Sequence, residues 1–364
     1  MPLISAAMIV RDEEAHLVEC LRSITPFVDE IIVVDTGSID RTKSIAQRFD
    51  VKLFDFPWCD DFAAARNAAL AQANGQWILY IDADERVRPT SVSAFRALLK
   101  TPALVGCFVR LHAHSHYTSY REMRLFRNNP DIRFEGVIHE NIWPGIRSFI
   151  DRHGGELGTS DLILDHVGYH GDQDHKHRRN LPLLQRRLAQ DPDHVYSWWH
   201  LGSVHLGLDD KDAAREAWWS AIAAVRRAKH RPWEQSLPYI EMIELDFADH
   251  HVIDPLLDEA LSFFPDNAHL IWVRAQKYLR EKDWQRALQD FESLAAWPQA
   301  QSNMVQIGYD ERLFDLHAFA GIAACQFQLG NFQEARKFYR LAHDVAPDPE
   351  FHIKQLLCSS LLNA

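Results

Sequence analysis

The sequence predicts an α/β domain with a mostly parallel sheet over residues 1–171, followed by an all-α repeat domain over residues 172–364. Three observations carry this. Short β-branched runs alternate with helical patterns through the first half, the signature of βαβ units. From Asp172 onward the strand patterns stop and apolar residues recur at helical spacing. That second half also repeats itself.

Leu3–Val10, LISAAMIV, is apolar and reads as the first strand. Leu17, Cys20, Leu21 and Ile24 then fall on one helical face. EIIVVD (Glu30–Asp35) is β-branched almost throughout, as a strand covered on both faces requires. TGSIDRT supplies a turn glycine and Asp40, placed to cap the helix that follows. VKLFDF (Val51–Phe56) is a third strand. DDFAAARNAALAQA (Asp60–Ala73) is an alanine-rich helix with acids at its positive end. WILYID (Trp77–Asp82) is a fourth strand. A helix near Ser91–Leu99 comes next, then strands over Leu104–His114 and Arg121–Asn128, and a less regular stretch over Arg133–Trp143.

In the helical half, one spacing of large and small residues recurs. It is met by Trp198, Leu201, Gly202, His205, Ala214, Trp218 and Ala221. Ile271, Ala275, Tyr278, Ala287, Phe291 and Pro298 meet it again, as do Phe319, Ile322, Ala323, Ala335, Tyr339, Ala342 and Pro347. A weaker copy uses Leu237, Ile240, Leu257, Ala260 and Pro265. This is the packing code of the tetratricopeptide helix-turn-helix, about 34 residues long. Small residues let paired helices cross closely, and large ones fill the space between pairs. No pair buries its apolar face alone, so the pairs must stack.

Composition narrows the function classes. Lys and Arg number 39 against 51 Asp and Glu, a net charge of −12 that disfavours non-specific nucleic-acid binding. No run approaches the ~18 apolar residues of a membrane span. The N-terminal stretch lacks the basic start of a signal peptide. Cys20, Cys59, Cys107, Cys325 and Cys358 form no C-x-x-C pair, which fits reduced thiols and a cytoplasmic protein.

The chemistry concentrates at strand ends. WILYIDADER ends an apolar run in Asp82, Asp84 and Glu85. Continued strand alternation would put Asp82 and Asp84 on one side, at the carboxyl edge where α/β sheets bind ligands. Paired carboxylates there suit Mg²⁺ or Mn²⁺, which complete their shells with diphosphate oxygens and water. The competing reading is a helix cap, or pairing with Arg86 and Arg88. Asp35 ends a second central strand ahead of a Gly-Ser turn, and Arg66 lies on the helix before the acidic strand. His166 follows a late apolar run, LILDH, and imidazole suits Mn²⁺. A buried structural histidine is the alternative there. His170, His175 and His177 read as solvated connector residues.

AMIVRDEEAHLVECLRSI, DEIIVVDTGSIDRT, DFAAARNAAL and WILYIDADER, in that order, resemble the inverting family 2 glycosyltransferases of GT-A fold. The resemblance runs over roughly residues 3–170, nearest to the bacterial branch with tetratricopeptide repeats, which includes peptide S-/O-glycosyltransferases of glycocin biosynthesis. It implies that Val10 and Glu13 line the base pocket, that Asp35 binds uridine and that Arg66 lies near the diphosphate. It implies that Asp84 ligates the metal while Asp82 contacts ribose or a metal-bound water. The family often has a second acid after Asp35; here it is Thr36. Glu140 follows His139 as in the family's V-H-E element and is the implied catalytic base, with Glu135 the other candidate.

The expected function is metal-dependent transfer of a hexose, with inversion, from a nucleotide sugar (UDP-hexose) to a hydroxyl or thiol of a peptide or glycan. Mn²⁺ or Mg²⁺ is the expected cofactor. The repeats would dock the acceptor or join two chains as a homodimer. A nucleotidyltransferase is disfavoured because no glycine-rich loop follows the first strand. A catalytically inactive repeat scaffold that binds a protein partner is the alternative from another class.

Overall fold

The computed structural model describes residues 3–112, 117–168, 174–249, 251–297 and 308–363. Pro298, His170 and the 171/172 boundary named above lie outside them, as does the side chain of His175. The chain divides into two compact units. One comprises residues 1–115 and 119–214, the other residues 116–118 and 215–364.

The first unit is built on an eight-stranded sheet: β1 (Ile4–Val10), β2 (Glu30–Asp35), β3 (Lys52–Asp55), β4 (Trp77–Tyr80), β5 (Glu85–Val87), β6 (Leu104–His112), β7 (Tyr120–Arg127) and β8 (Glu156–His166). Their order is β3-β2-β1-β4-β7-β6-β8-β5. The half that carries the site, β3-β2-β1-β4, is parallel, whereas β7 joins it antiparallel, so the whole sheet is mixed. Register pairs Val10 with Asp35, and Ala7 with Tyr80. The carboxyl ends of β1, β2 and β4 therefore open on one edge.

Alternation along the strands feeds two cores. Ala6, Met8, Val33 and Leu79 face α1 (Leu17–Ile24), α2 (Thr42–Ala46) and α4 (Val92–Leu98). Ala7, Ile32, Val34, Ile78 and Tyr80 face α3 (Phe62–Gln72) and α5 (Trp143–His153). α5 is an element the sequence pattern does not reveal. Neither is β5. It pairs antiparallel with β8 and sets Glu85 opposite His166. Helices resume at α6 (Asp174–Gln190) and α7 (Val195–Gly207), where the sequence changes character, yet both belong to the first unit. Arg179 lies over the Phe62 ring at 5.2 Å, and Arg186 donates to the Asp60 carbonyl. The units divide inside α8 (Lys211–Arg227).

The second unit is helical: α9 (Leu237–Ala248), α10 (Asp254–Phe263), α11 (Ala268–Arg280), α12 (Trp284–Ala295), α13 (Leu316–Gln328), α14 (Phe332–Val345) and α15 (Pro349–Leu362). Ala275, Ala287, Phe291, Ala323, Ala335 and Tyr339 are buried, as the repeat pattern requires. Gly321 shows why small residues recur: a Cβ there would meet the Phe291 ring at 2.6 Å.

Candidate functional site

β4 ends at Tyr80, two residues before the first acid. Strand alternation therefore does not reach Asp82 and Asp84 and cannot set where they point. The chain turns through 82–84 into β5, and each carboxylate meets a different partner. Asp82 takes Arg66 Nη1 at 2.9 Å, with Arg124 Nη1 at 3.7 Å. Asp84 lies 3.4 Å from His166 Nε2. The β5–β8 pairing delivers that histidine. Gly168 leaves room for the contact, since a Cβ there would sit 1.9 Å from Asp84 Oδ2.

Glu85, one residue on, opens β5. It is fully buried, accepts from Asp82 N–H at 2.9 Å and pairs with Arg124 at 2.9 Å. β5 forces this, because Glu85 must face inward opposite His166. Arg86 instead donates to the carbonyls of Ala83, Glu85 and His16.

Two guanidinium groups organise the acids. Arg66, 11% exposed, reaches Asp82 with one edge and Glu140 Oε1, at 2.5 Å, with Nε. Its plane lies 5.1 Å from the Tyr80 centroid and 5.7 Å from that of Phe134. Arg124 lies 4.4 Å from the same tyrosine and also pairs with Glu122 at 2.8 Å. Burial opposes the charge on Asp82, but Arg66 and then Arg124 outweigh it and hold the carboxyl at about 2. Glu13 makes no close ion pair with a guanidinium among the described residues. Burial, then Asp84 and Asp82, push it up to about 7, with Lys176 of α6 pulling the other way. Burial also keeps the His166 imidazole toward its neutral form, against Asp84 and Asp82.

At the neighbouring strand end, Asp35 is 2% exposed. Its Oδ1 accepts from Gly37 and Ser38 N–H at 2.9 Å each, while Oδ2 is buried with no partner among the described residues. Thr36 N–H and hydroxyl both donate to the Val10 carbonyl, at 2.9 and 3.1 Å. Val10 is 2% exposed, its side chain in the core, so it offers the crevice no side chain. Asp40 and Thr42 do more than start a helix: they accept from Glu14 and Glu13 N–H at 3.0 and 2.7 Å and lace the two loops together.

Of the two base candidates, Glu140 is brought to Arg66 and is 12% exposed, whereas Glu135 is exposed. The sequence placed Arg66, Asp82, Asp84, Glu140 and His166 as candidates, and one cluster contains them all. It missed Arg124 as a site residue. The available signal was an arginine inside the apolar run MRLF, which a strand covered on both faces must pair. It also missed α6, whose Lys176 and Arg179 act on Glu13.

No group of three or more His, Cys, Asp or Glu among the described residues could hold a metal. Asp84 and His166 make a two-donor set. That suits a hard divalent ion which takes its remaining ligands from substrate phosphates and water.

Residues 5–153 match the family described as glycosyl transferase family 2. The chain is 37% identical over 222 residues to a TPR repeat-containing protein of Synechococcus elongatus, covering 59% of this chain and 55% of that protein. It is 28% identical to the SPbeta prophage-derived glycosyltransferase SunS of Bacillus subtilis, covering 58% and 51%. It is 35% identical over 184 residues to the lipopolysaccharide core biosynthesis glycosyltransferase LpsC of Rhizobium meliloti, covering 45% and 66%. The chain thus spans about half the length of the first two relatives, at 55% and 51%.

Proposed function

We propose, on the match of residues 5–153 to glycosyl transferase family 2, that the chain transfers a hexose from a UDP-sugar to a hydroxyl or thiol of a peptide or glycan, with inversion. The observation that carries this reading is one sheet edge holding three unlike devices. Asp35 offers an unpaired buried oxygen, which the uracil N–H would satisfy. Asp84 and His166 offer a site for Mn²⁺ or Mg²⁺, which when bound would supply Lewis acidity to the departing diphosphate. Glu140, aimed by Arg66, offers a carboxylate to take the acceptor's proton as it attacks the anomeric carbon from the face opposite the diphosphate. Asp82, held ionised by two arginines, fixes the turn that presents Asp84. The helical repeats would dock the acceptor or join two chains.

The test is nucleotide release from a panel of UDP- and GDP-sugars, with Mn²⁺, with Mg²⁺ and with chelator. Release should require a divalent ion, favour UDP donors and fall at least tenfold in Asp84→Ala. Full activity of that variant in chelator would overturn the mechanism. Absence of UDP binding by calorimetry would leave a binding scaffold as the better account.

A further inference from the structure

The geometry points to His139 as a positioning residue for Glu140, seated in an aromatic socket on α7. This rests on Glu140 acting as the base. The segment 135–141 is a closed loop. Glu135 and Asn141 exchange backbone hydrogen bonds of 3.0 and 2.9 Å, and Phe62 N–H donates to the Val137 carbonyl at 3.0 Å. Within it Gly136 (φ +100°) and His139 (φ +53°) are left-handed. Glycine adopts that region freely. Among other residues it is uncommon, though histidine is one of the types enriched there. Such a conformation persists where the surroundings over-determine it.

The surroundings do so here. The His139 ring lies 4.1 Å from that of His200 and 4.9 Å from that of Tyr196, nearly perpendicular to the latter at 87°. Tyr196 and His200 are four residues apart, one turn of α7, and so line one face. Trp199 backs both, at 5.2 and 4.6 Å. With the ring of His139 committed to α7, its left-handed backbone sends the next side chain, Glu140, the other way, onto Arg66. His139 Nε2 is buried with no hydrogen-bond partner among the described residues, so its hold on the loop is packing rather than a polar tether. A helix that the sequence places among the repeats therefore sets the direction of the carboxylate that receives the proton. A misplacement of about 1 Å at such a group can cost ~10²-fold in rate.

The socket can be emptied without touching the loop. Tyr196→Ala and His200→Ala should lower kcat for transfer about ten- to hundredfold, per UDP-binding site, with donor KM and UDP affinity unchanged. His200→Phe, which refills the socket, should restore kcat to near wild type. His139→Asn keeps tolerance for the left-handed backbone but removes the ring, and should match the alanine variants. A fold defect alone would lower the number of UDP-binding sites, not kcat per site. The inference is overturned if folded His139→Asn keeps kcat within twofold of wild type. It is equally overturned if His200→Ala and His200→Phe lose kcat to the same extent, a pair that decides the matter should His139→Asn not fold. Wild-type protein that transfers no sugar would instead sink the glycosyltransferase reading.

Discussion

Arg66→Met asks how much of the site's order depends on one buried cation. The side chain is replaced by an apolar one of similar length, and Asp82 and Glu140 lose their shared partner at 2.9 and 2.5 Å. The charge part can be worked from Asp82. Its carboxyl sits at about 2 in the fold against 3.8 unperturbed, so ionic pairing net of desolvation contributes roughly 2 kcal/mol at neutral pH. The shift is a depression, so this stability is present above pH 3.8 and lost as pH falls through about 2. Arg124 keeps part of it. Glu140, left desolvated, adds to the cost, and breaking a buried pair on one side typically costs about 3–5 kcal/mol. Urea unfolding of the full chain at pH 7 should show a loss of about 3–4 kcal/mol in the first transition. The double variant Arg66→Met/Glu140→Gln should recover about 1 kcal/mol or more of it, since the two residues are in contact. A loss below about 1 kcal/mol, the value of a solvated surface pair, would refute the reasoning.

Three further outcomes follow from named contacts. Glu140→Gln should bind UDP with metal as wild type does, yet lose about 10²–10⁴-fold in kcat, read by comparing calorimetry with nucleotide release. Gly168→Ala should push the Asp84 carboxylate away from His166 and weaken metal-dependent UDP binding at least tenfold, with the unfolding midpoint little changed. The His200 imidazole is lowered from 6.5 to about 4, chiefly by burial and then by His177. A depressed base gives stability that is full above pH 6.5 and lost as pH falls toward 4. Urea unfolding should show about 2–2.5 kcal/mol less stability at pH 4.5 than at pH 7 from this group, and His200→Phe should flatten that slope.

The parallel strands were legible because each is a short run with apolar residues that ends at a polar turn. The repeats were legible because small and large residues alternate at fixed helical offsets. β5 was not, since Glu85-Arg86-Val87 carries one apolar residue in three. It forms because β8 offers an edge, a long-range cause that no local pattern records. The same reason hid the true neighbours of the acids. Alternation was extended past the end of β4, but a turn begins there, and only tertiary pairing fixes where each carboxylate looks. α7 was read as a repeat helix because its Leu201 and Gly202 fit the code; that the same helix carries Tyr196 and His200 for a loop some sixty residues earlier has no sequence signature.

The acidic turn also bears on what the divalent ion of the proposed mechanism would do when two arginines already stand beside it. Arg66 and Arg124 are both spent on neighbours: Asp82 and Glu140 for the first, Glu85, Glu122 and Asp82 for the second. Neither can turn toward a diphosphate without stranding a buried carboxylate, a loss of several kcal/mol. Their work is to cancel charge inside the fold, so that the turn can be built. Among the described residues, Asp84 is the carboxylate of that turn left without a guanidinium, facing an imidazole that burial shifts toward its neutral form. A donor's diphosphate entering here would meet the Asp84 carboxylate beside a partly neutralised Glu13. On the proposed mechanism the arginines leave the ion's role unfilled, and removing Asp84 should weaken nucleotide binding only when the ion is present. In chelator, Asp84→Ala should bind UDP as well as wild type or slightly better, having lost a repulsive charge. Calorimetry with and without Mn²⁺ separates the two cases, and equal losses in both would contradict this division of labour.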